Sequence, residues 1–415
     1  MKILVTSRES LFPNIGGHRE YLLETIKGLT EKGNSIDVLS WGIENNYTYN
    51  NTNMNEYHFN SDSDNLKINN KLKFLTKFAS SAGIGQIHTI RHKGLEIKHA
   101  MNFLKTEYDI VIKNGPDSNG IAGYISNRLQ IPMIERLDWV GLPYRSKFYR
   151  QWLNYIDQSY MPYNYLYRVF DKYITKIEAK SSMDADFVYT PTKNDMQKIG
   201  RYIDRRKLDY IIPFLNSANL NNVETKESKE EKKPLVEGKY ILFYSTPSIN
   251  AYEAIKYIYK ISKLNEKINF VITGNFDNLQ INFSRANLIF LGELPLETFY
   301  IILKKAYIVI FPLTLGHGIQ MKLIRAFSFS KAVIANDGVL KPIEDLVYDN
   351  KNIIIGETPS KFYDKILYLY EDENIVKEIG SNSYKAYKEY FSPEVSIKKL
   401  NEYLQKCQNN YKNQL

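Results

Sequence analysis

The sequence predicts an α/β chain of two doubly wound, Rossmann-like domains, and three observations carry that expectation. Short apolar runs alternate with longer amphipathic stretches along almost the whole chain. Its 415 residues exceed what one hydrophobic core supports and suit two domains of about 200 residues each. A charged stretch without aromatic residues divides the alternating pattern into two series.

The first series opens at once. "KILVT", "REYLLETIKGLTEKG" and "SIDVLS" read as strand, helix and strand. The helix sets Tyr21, Leu22, Ile26 and Leu29 on one side, and Gly33 stands where a C-terminal cap belongs. "YDIVIKNG", "IPMIER" and "ADFVYTPT" follow as strands, then "KNDMQKIGRY" as a helix and "YIIPF" as a further strand. The Asn-rich "NNYTYNNTNMN" near residue 50 reads as an extended loop. Residues 222–238, "NVETKESKEEKKPLVEG", have the composition of a solvated linker, which places the first domain at 1–221. The second domain, 239–390, carries the strands "YILFY", "INFVITG", "NLIFLG", "YIVIFP", "KAVIAN" and "NIIIG".

An apolar fraction of 43% and a charged fraction of 24% exclude a disordered chain. The single cysteine, Cys407, cannot form an internal disulfide and has no second thiol or His cluster near it in sequence, so no metal site is expected there and a reducing cytoplasm fits. "MKILVTSRES" holds too short an apolar run for a secretory signal, and no run approaches the roughly 20 residues that span a bilayer. The net charge of +9 favours a polyanionic partner.

That charge is uneven. Residues 65–95 hold Lys67, Lys71, Lys73, Lys77, Arg91 and Lys93 among Leu72, Phe74, Leu75 and Phe78, and residues 141–180 interleave Arg145, Lys147, Arg150 and Arg168 with Tyr and Trp. Such mixtures suit an anionic membrane face, which would make the protein peripheral on the inner side of the cell membrane; the alternative is a solvated face over a Tyr-rich core. No recognition motif accompanies the charge, so nucleic acid is not the expected partner.

In open parallel sheets, ligands bind beyond the C-terminal strand ends, where helix N-termini present free N–H groups. Three loops have suitable composition. "PNIGGHREYLL" sets Gly16 and Gly17 between a strand and a helix, where the backbone approaches a phosphate or sugar closely or makes a plain tight turn. "FYSTPSINAYEAI" offers Ser245, Thr246 and Ser248 before a helix that Asn250 is placed to cap. "PLTLGHGIQMKLIRAF" sets Gly316, His317 and Gly318 before a helix whose first turn holds Lys322; a cation there is poor for the helix and good for a bound diphosphate.

In their order, "GGHREYLLETIKGLTEKGNSIDVLS", "DADFVYTPTKND", "YIIPFLNSANL", "NLIFLGELPLETFYIILKKAYIVIFP" and "GIQMKLIRAFSFSKAVIAND" resemble the large group of retaining glycosyltransferases with the GT-B fold, the glycosyl transferases group 1 family. The resemblance implies two Rossmann-like domains facing a central cleft, a nucleotide sugar held mainly by the second, and a glycan or lipid-linked acceptor facing the first. It also implies that the last helix, about 391–415, packs back on the first domain. The nucleotide sugar is a co-substrate, and no other cofactor or metal is implied.

Residue by residue, the resemblance puts Gly16 and Gly17 near the donor phosphate and the acceptor, Gly292, Glu293 and Leu294 at the nucleotide base, Ser245 and Asn250 in the entry segment, and Gly318, Gln320 and Lys322 at the donor. Where the family often has two glutamates with seven residues between them, this chain has His317 and Arg325. A guanidinium accepts no hydrogen bond, so Arg325 cannot hold ribose hydroxyls as a carboxylate does. The cations expected after the first strand of the second domain give way to "STPSIN", and the His of the first-domain cleft to Leu137, with Asp138 beside it. The expected function is sugar transfer with retention to a hydroxyl, with His317, Lys322 and Asp138 nearest the chemistry. The competing readings are a non-catalytic partner subunit of this fold, separated by donor turnover, and a membrane-binding scaffold, separated by liposome binding without nucleotide binding.

Overall fold

The computed structural model describes residues 1–7, 11, 17–41, 47–48, 54–59, 107–115, 119–137, 179, 182–216, 235–276, 283–313, 319–356 and 359–413. They fall into two compact units. The expected sites Gly16, Asp138, His317 and Gly318 lie outside the described residues, as do the basic segments 65–95 and, apart from Ala179, 141–180.

The first unit is an eight-stranded sheet in the order β3-β4-β2-β1-β5-β6-β7-β8. Its strands are β1 (Lys2–Ser7), β2 (Ser35–Trp41), β3 (Tyr47–Thr48), β4 (Met54–Phe59), β5 (Ile110–Asn114), β6 (Met133–Arg136), β7 (Phe187–Thr190) and β8 (Leu208–Tyr210). All pairs are parallel except β3 with β4. From β1 the sheet grows one way through β2 and the other way through β5, which puts a switch point between β1 and β5.

Helix α1 (Gly17–Glu31) buries Tyr21, Leu22, Ile26 and Leu29, each worth about 1.5–3 kcal/mol of transfer free energy. Gly33, at φ +82°, closes its end by donating to the Thr30 carbonyl at 2.9 Å. Helices α2 (Asn119–Leu129) and α3 (Lys193–Ile199) add Ile121, Ile125 and Ile199 to a core with Leu4, Val111, Met133 and Val188.

Two readings of the sequence are corrected here. The strand expected at "YIIPF" is Leu208–Tyr210, with residues 211–216 irregular, because pairing with β7 starts at Leu208. The Asn-rich stretch contains β3 and the start of β4; register with β2 from Ile36 to Trp41 overrides the low strand propensity of Asn.

The second unit begins at Pro213, upstream of the charged stretch. Its six-stranded sheet, β11-β10-β9-β12-β13-β14, is parallel throughout. The strands are β9 (Tyr240–Tyr244), β10 (Asn269–Thr273), β11 (Leu288–Gly292), β12 (Ile308–Phe311), β13 (Val333–Ala335) and β14 (Ile354–Ile355). Central β9 and β12 are buried along their whole length, as continuous apolar runs in a two-faced sheet must be. Helices α4 (Ile249–Ser262), α5 (Leu296–Lys305), α6 (Met321–Ser328), α7 (Pro359–Glu371) and α8 (Glu373–Ala386) cover it. Here the switch point lies between β9 and β12.

The last helix, α9 (Pro393–Lys412), serves the first unit from Ile397 onward. Ile397 fills the space over Gly28 of α1, where an added Cβ would lie 2.6 Å from its Cγ1. Tyr403 stacks on Phe187 at 4.2 Å and its hydroxyl donates to the Asp209 carboxylate. Gln408 donates to Asp109 at 2.7 Å, and burial pushes the Cys407 thiol up to about 12. No helix among the described residues is long and apolar enough to cross a membrane.

Candidate functional site

In the second unit a group of polar side chains stands at the C-terminal ends of β9, β10 and β11 and at the start of α6. Ser245 follows β9 directly, and α6 starts beyond the loop that leaves β12. Lys322, second residue of α6, sends its ammonium back across the switch point to donate to Ser245 Oγ at 2.7 Å. Tyr244 fixes the same residue from the other side, its hydroxyl donating to the Lys322 carbonyl at 2.6 Å. The Tyr244 ring is wedged edge-on against Phe299 of α5 at 4.9 Å and Phe311 of β12 at 5.3 Å. Lys322 is therefore held by its backbone and by its tip.

Burial lowers the Lys322 ammonium from its ordinary range to about 8. One helical turn on, Arg325 lies with its guanidinium 5.8 Å from the centre of the Phe299 ring, and burial lowers it to about 10. Two cations thus share one face of α6, one toward Ser245 and one toward α5. Gln320 caps the helix with its backbone, accepting from Leu323 at 2.9 Å, while its side chain makes no capping bond.

The neighbouring strand ends are built on two glycines. Gly274, after β10, has φ +142°, and a Cβ there would meet the Ser245 carbonyl oxygen at 2.2 Å. Gly292, at φ +66°, turns the chain out of β11, and its carbonyl accepts from Gly274 N–H and Thr273 Oγ1, both at 2.8 Å. Glu293 beyond it is exposed and accepts from Asn275 at 3.2 Å, with Leu294 half-buried next to it.

Ser245 and Lys322 meet at the switch point, Gln320 caps the helix that carries Lys322, Arg325 lies one turn on against Phe299, and Gly292, Glu293 and Leu294 stand at the end of β11. Gly17 is the first residue of α1 in the other unit. Asn250 does not cap α4: Ser248 does, its hydroxyl accepting from Ala251 N–H at 3.1 Å, because Ser248 keeps the extended backbone an N-cap needs while Asn250 is already helical. Leu137, at the family's His position, is core, with its N–H on the Tyr189 carbonyl at 2.9 Å. Sequence reasoning missed Tyr244, Gly274 and Phe299. Only Gly274 left a signal, a glycine directly after the apolar run "INFVIT". Among the described residues no three His, Cys, Asp or Glu side chains converge as metal ligands.

Residues 239–372 match the family model for glycosyl transferases group 1. Among solved structures, the chain is similar to sucrose-phosphate synthase from Thermosynechococcus elongatus, at 10% identity over 98% of each chain with a TM-score of 0.66. HepE from Anabaena, solved in complex with UDP and glucose, is 13% identical over 98% of this chain and 99% of that one, with a TM-score of 0.65. A UDP-forming α,α-trehalose-phosphate synthase from Burkholderia vietnamiensis is 8% identical over 98% and 99%, with a TM-score of 0.66. No curated protein matches the sequence. The whole-length likeness gives the GT-B fold, and the match over residues 239–372 places the likeness to glycosyl transferases group 1 in the second unit.

Proposed function

We propose that the second unit binds a nucleoside diphosphate hexose and that the chain transfers the hexose, with retention, to a hydroxyl of a lipid-linked or polymeric glycan offered by the first unit. The observation that carries the donor reading is Lys322 anchored on Ser245 at the switch point, with Arg325 one turn away. Two half-buried cations at strand ends suit a diphosphate, whose charge is felt strongly where water is scarce. HepE from Anabaena, of the same fold, has been solved in complex with UDP-glucose. In the transfer, the bond from the anomeric carbon to the diphosphate oxygen breaks with its electron pair on oxygen. The acceptor oxygen bonds to that carbon, and its proton leaves to the diphosphate or to solvent. Charge grows on the diphosphate as the bond breaks, and Lys322 is placed to stabilise it.

Attachment to an anionic membrane through residues 65–95 and 141–180 is part of the same proposal and rests on composition. Thermal melting of the full chain with UDP, GDP and their glucose and mannose conjugates tests the donor reading. One nucleotide should raise the midpoint, since a ligand of the native state stabilises it. A chain that none of them shifts has no donor site, and the non-catalytic reading then stands.

A further inference from the structure

The outer strands of the two sheets are protected unequally. In the first unit α9 closes β8, with Lys399 donating to the Tyr210 carbonyl at 2.7 Å and Tyr403 to the Asp209 carboxylate. The outer strands β3 and β14 are two residues each. β11, the remaining edge, is five residues long and has a strand neighbour only in β10. An open edge of that length is a template for another strand.

The ladder decides which backbone groups of β11 face outward. Leu288 pairs with Phe270 and Phe290 with Ile272, and Phe270 N–H donates to the Asn287 carbonyl at 2.8 Å. In a parallel ladder the bonds go to the residues on either side of a paired one, so Asn287, Ile289 and Leu291 face β10 while Leu288 and Phe290 turn their own groups away. Leu288 N–H closes a turn on the Arg285 carbonyl at 3.1 Å. The Leu288 carbonyl and both backbone groups of Phe290 have no partner among the described residues. The Phe290 side chain is 38% exposed, and Leu296, just beyond at the start of α5, 56%. From Ala286 to Gly292 the chain has neither a charge nor a proline to discourage pairing, and its one irregularity, the extra residue Leu291, comes after Phe290.

We propose that β11 pairs antiparallel with β11 of a second copy of this chain, about a two-fold axis at Ile289, and so joins two six-stranded sheets into one. The charges select both the occupant and the register. Arg285 stands four residues before Ile289 and Glu293 four after it, so an axis there brings each Arg285 within reach of the partner's Glu293. Arg285 holds Glu266 at 2.7 Å through Nη2 and keeps further N–H donors, while Glu293 is exposed. Axes at Leu288 or Phe290 would use the same outward groups but lose both charge pairs. At Ile289 the two chains make a non-hydrogen-bonded pair, flanked on either side by Phe290 N–H donating to the partner's Leu288 carbonyl. The contact is isologous, so it closes at two copies. It rests on the sheet edge and not on the transfer reading.

Sedimentation equilibrium on the full chain at micromolar concentration should give twice the monomer mass. Phe290→Pro removes an outward N–H without removing a bond to β10, and should weaken the dimer about tenfold or more. Phe290→Lys serves if circular dichroism shows that the Pro variant does not fold, with a weaker dimer again expected. Arg285→Glu and Glu293→Arg should each weaken the dimer, and the double variant should restore it. Ile289→Cys reads the axis directly, since the native Cys407 is buried. The Cα atoms of a non-hydrogen-bonded pair lie about 4.5 Å apart, within disulfide range, so mild oxidation should link two chains; Leu291→Cys, about 13 Å from its own copy, should stay unlinked. A monomeric parent overturns the proposal. So does a dimer that the single charge reversals leave unchanged, or one that is linked through Leu291→Cys and not through Ile289→Cys.

Discussion

Lys322 Nζ donates to Ser245 Oγ at 2.7 Å, and that bond fixes a cation of lowered pKa over the switch point of the second sheet. The sign of the pH dependence follows. Lys322 loses its proton near pH 8 in the folded chain and near its ordinary 10.5 when unfolded. Between those values the unfolded chain binds more protons, so stability should rise with pH across that window. Nucleotide affinity should run the other way, falling as pH rises through about 8, because a diphosphate prefers the ammonium. Lys322→Met should flatten both profiles and weaken UDP at neutral pH by roughly 1.5–3 kcal/mol, the scale of a hydrogen bond to a charged group. Calorimetric titrations and urea melts from pH 7 to about 10 read both. A parent whose UDP affinity does not change with pH would remove Lys322 from the donor site.

Arg325 stands where the resembling family often has a carboxylate, and here its guanidinium faces Phe299. If its task is to add positive charge beside Lys322, Arg325→Glu should weaken UDP by about 1–3 kcal/mol, with Arg325→Gln in between. The order parent, Gln, Glu in falling affinity is the expected result. Tighter binding by the Glu variant would mean that the position needs an acceptor, and that this chain has lost the group that holds its donor.

The strands of the second unit were legible because continuous apolar runs such as "YILFY" and "YIVIFP" have one use in a sheet buried on both faces. Lys322 was legible for a local reason, a cation in the first turn of a helix after a glycine loop. What was not legible is tertiary. Phe299 on α5 and Tyr244 on β9 are ordinary core aromatics in sequence, and only packing sets both around α6. Ser248 and Asn250 are both good caps, and the choice rests on where the backbone turns helical. The start of β4 was hidden because Asn disfavours strands in isolation, while pairing along six positions of β2 does not.

Gly274 and Gly33 both hold positive φ, at +142° and +82°, but only one is crowded. A Cβ on Gly274 would sit 2.2 Å from the Ser245 carbonyl oxygen, whereas nothing lies within 4 Å of one on Gly33. Gly33→Ala should therefore cost only the backbone penalty, about 1 kcal/mol. Gly274→Ala should exceed that, at about 3 kcal/mol or more, and displace Ser245 from Lys322 as well. Urea melts of both variants with UDP titrations compare them. Equal losses in stability, with nucleotide binding intact, would show that the Gly274 contact relaxes freely.

Lys113 and Glu135 face each other on neighbouring strands of the first sheet, 2.8 Å apart, with side chains 1% and 0% exposed. Burial lowers Lys113 and raises Glu135 despite their attraction, so each ion is tolerated because of the other. Removing one partner should then cost far more than removing both. Glu135→Gln strands a buried ammonium and Lys113→Met a buried carboxylate, each a loss of about 3–5 kcal/mol. The double variant Lys113→Met with Glu135→Leu replaces the pair by apolar side chains and should be much less destabilised than the sum of the single changes, even close to the parent. Urea melts of the parent and the variants measure the coupling directly. Additive losses would mean that the surroundings hold each ion independently, and that the pair does not act as a unit.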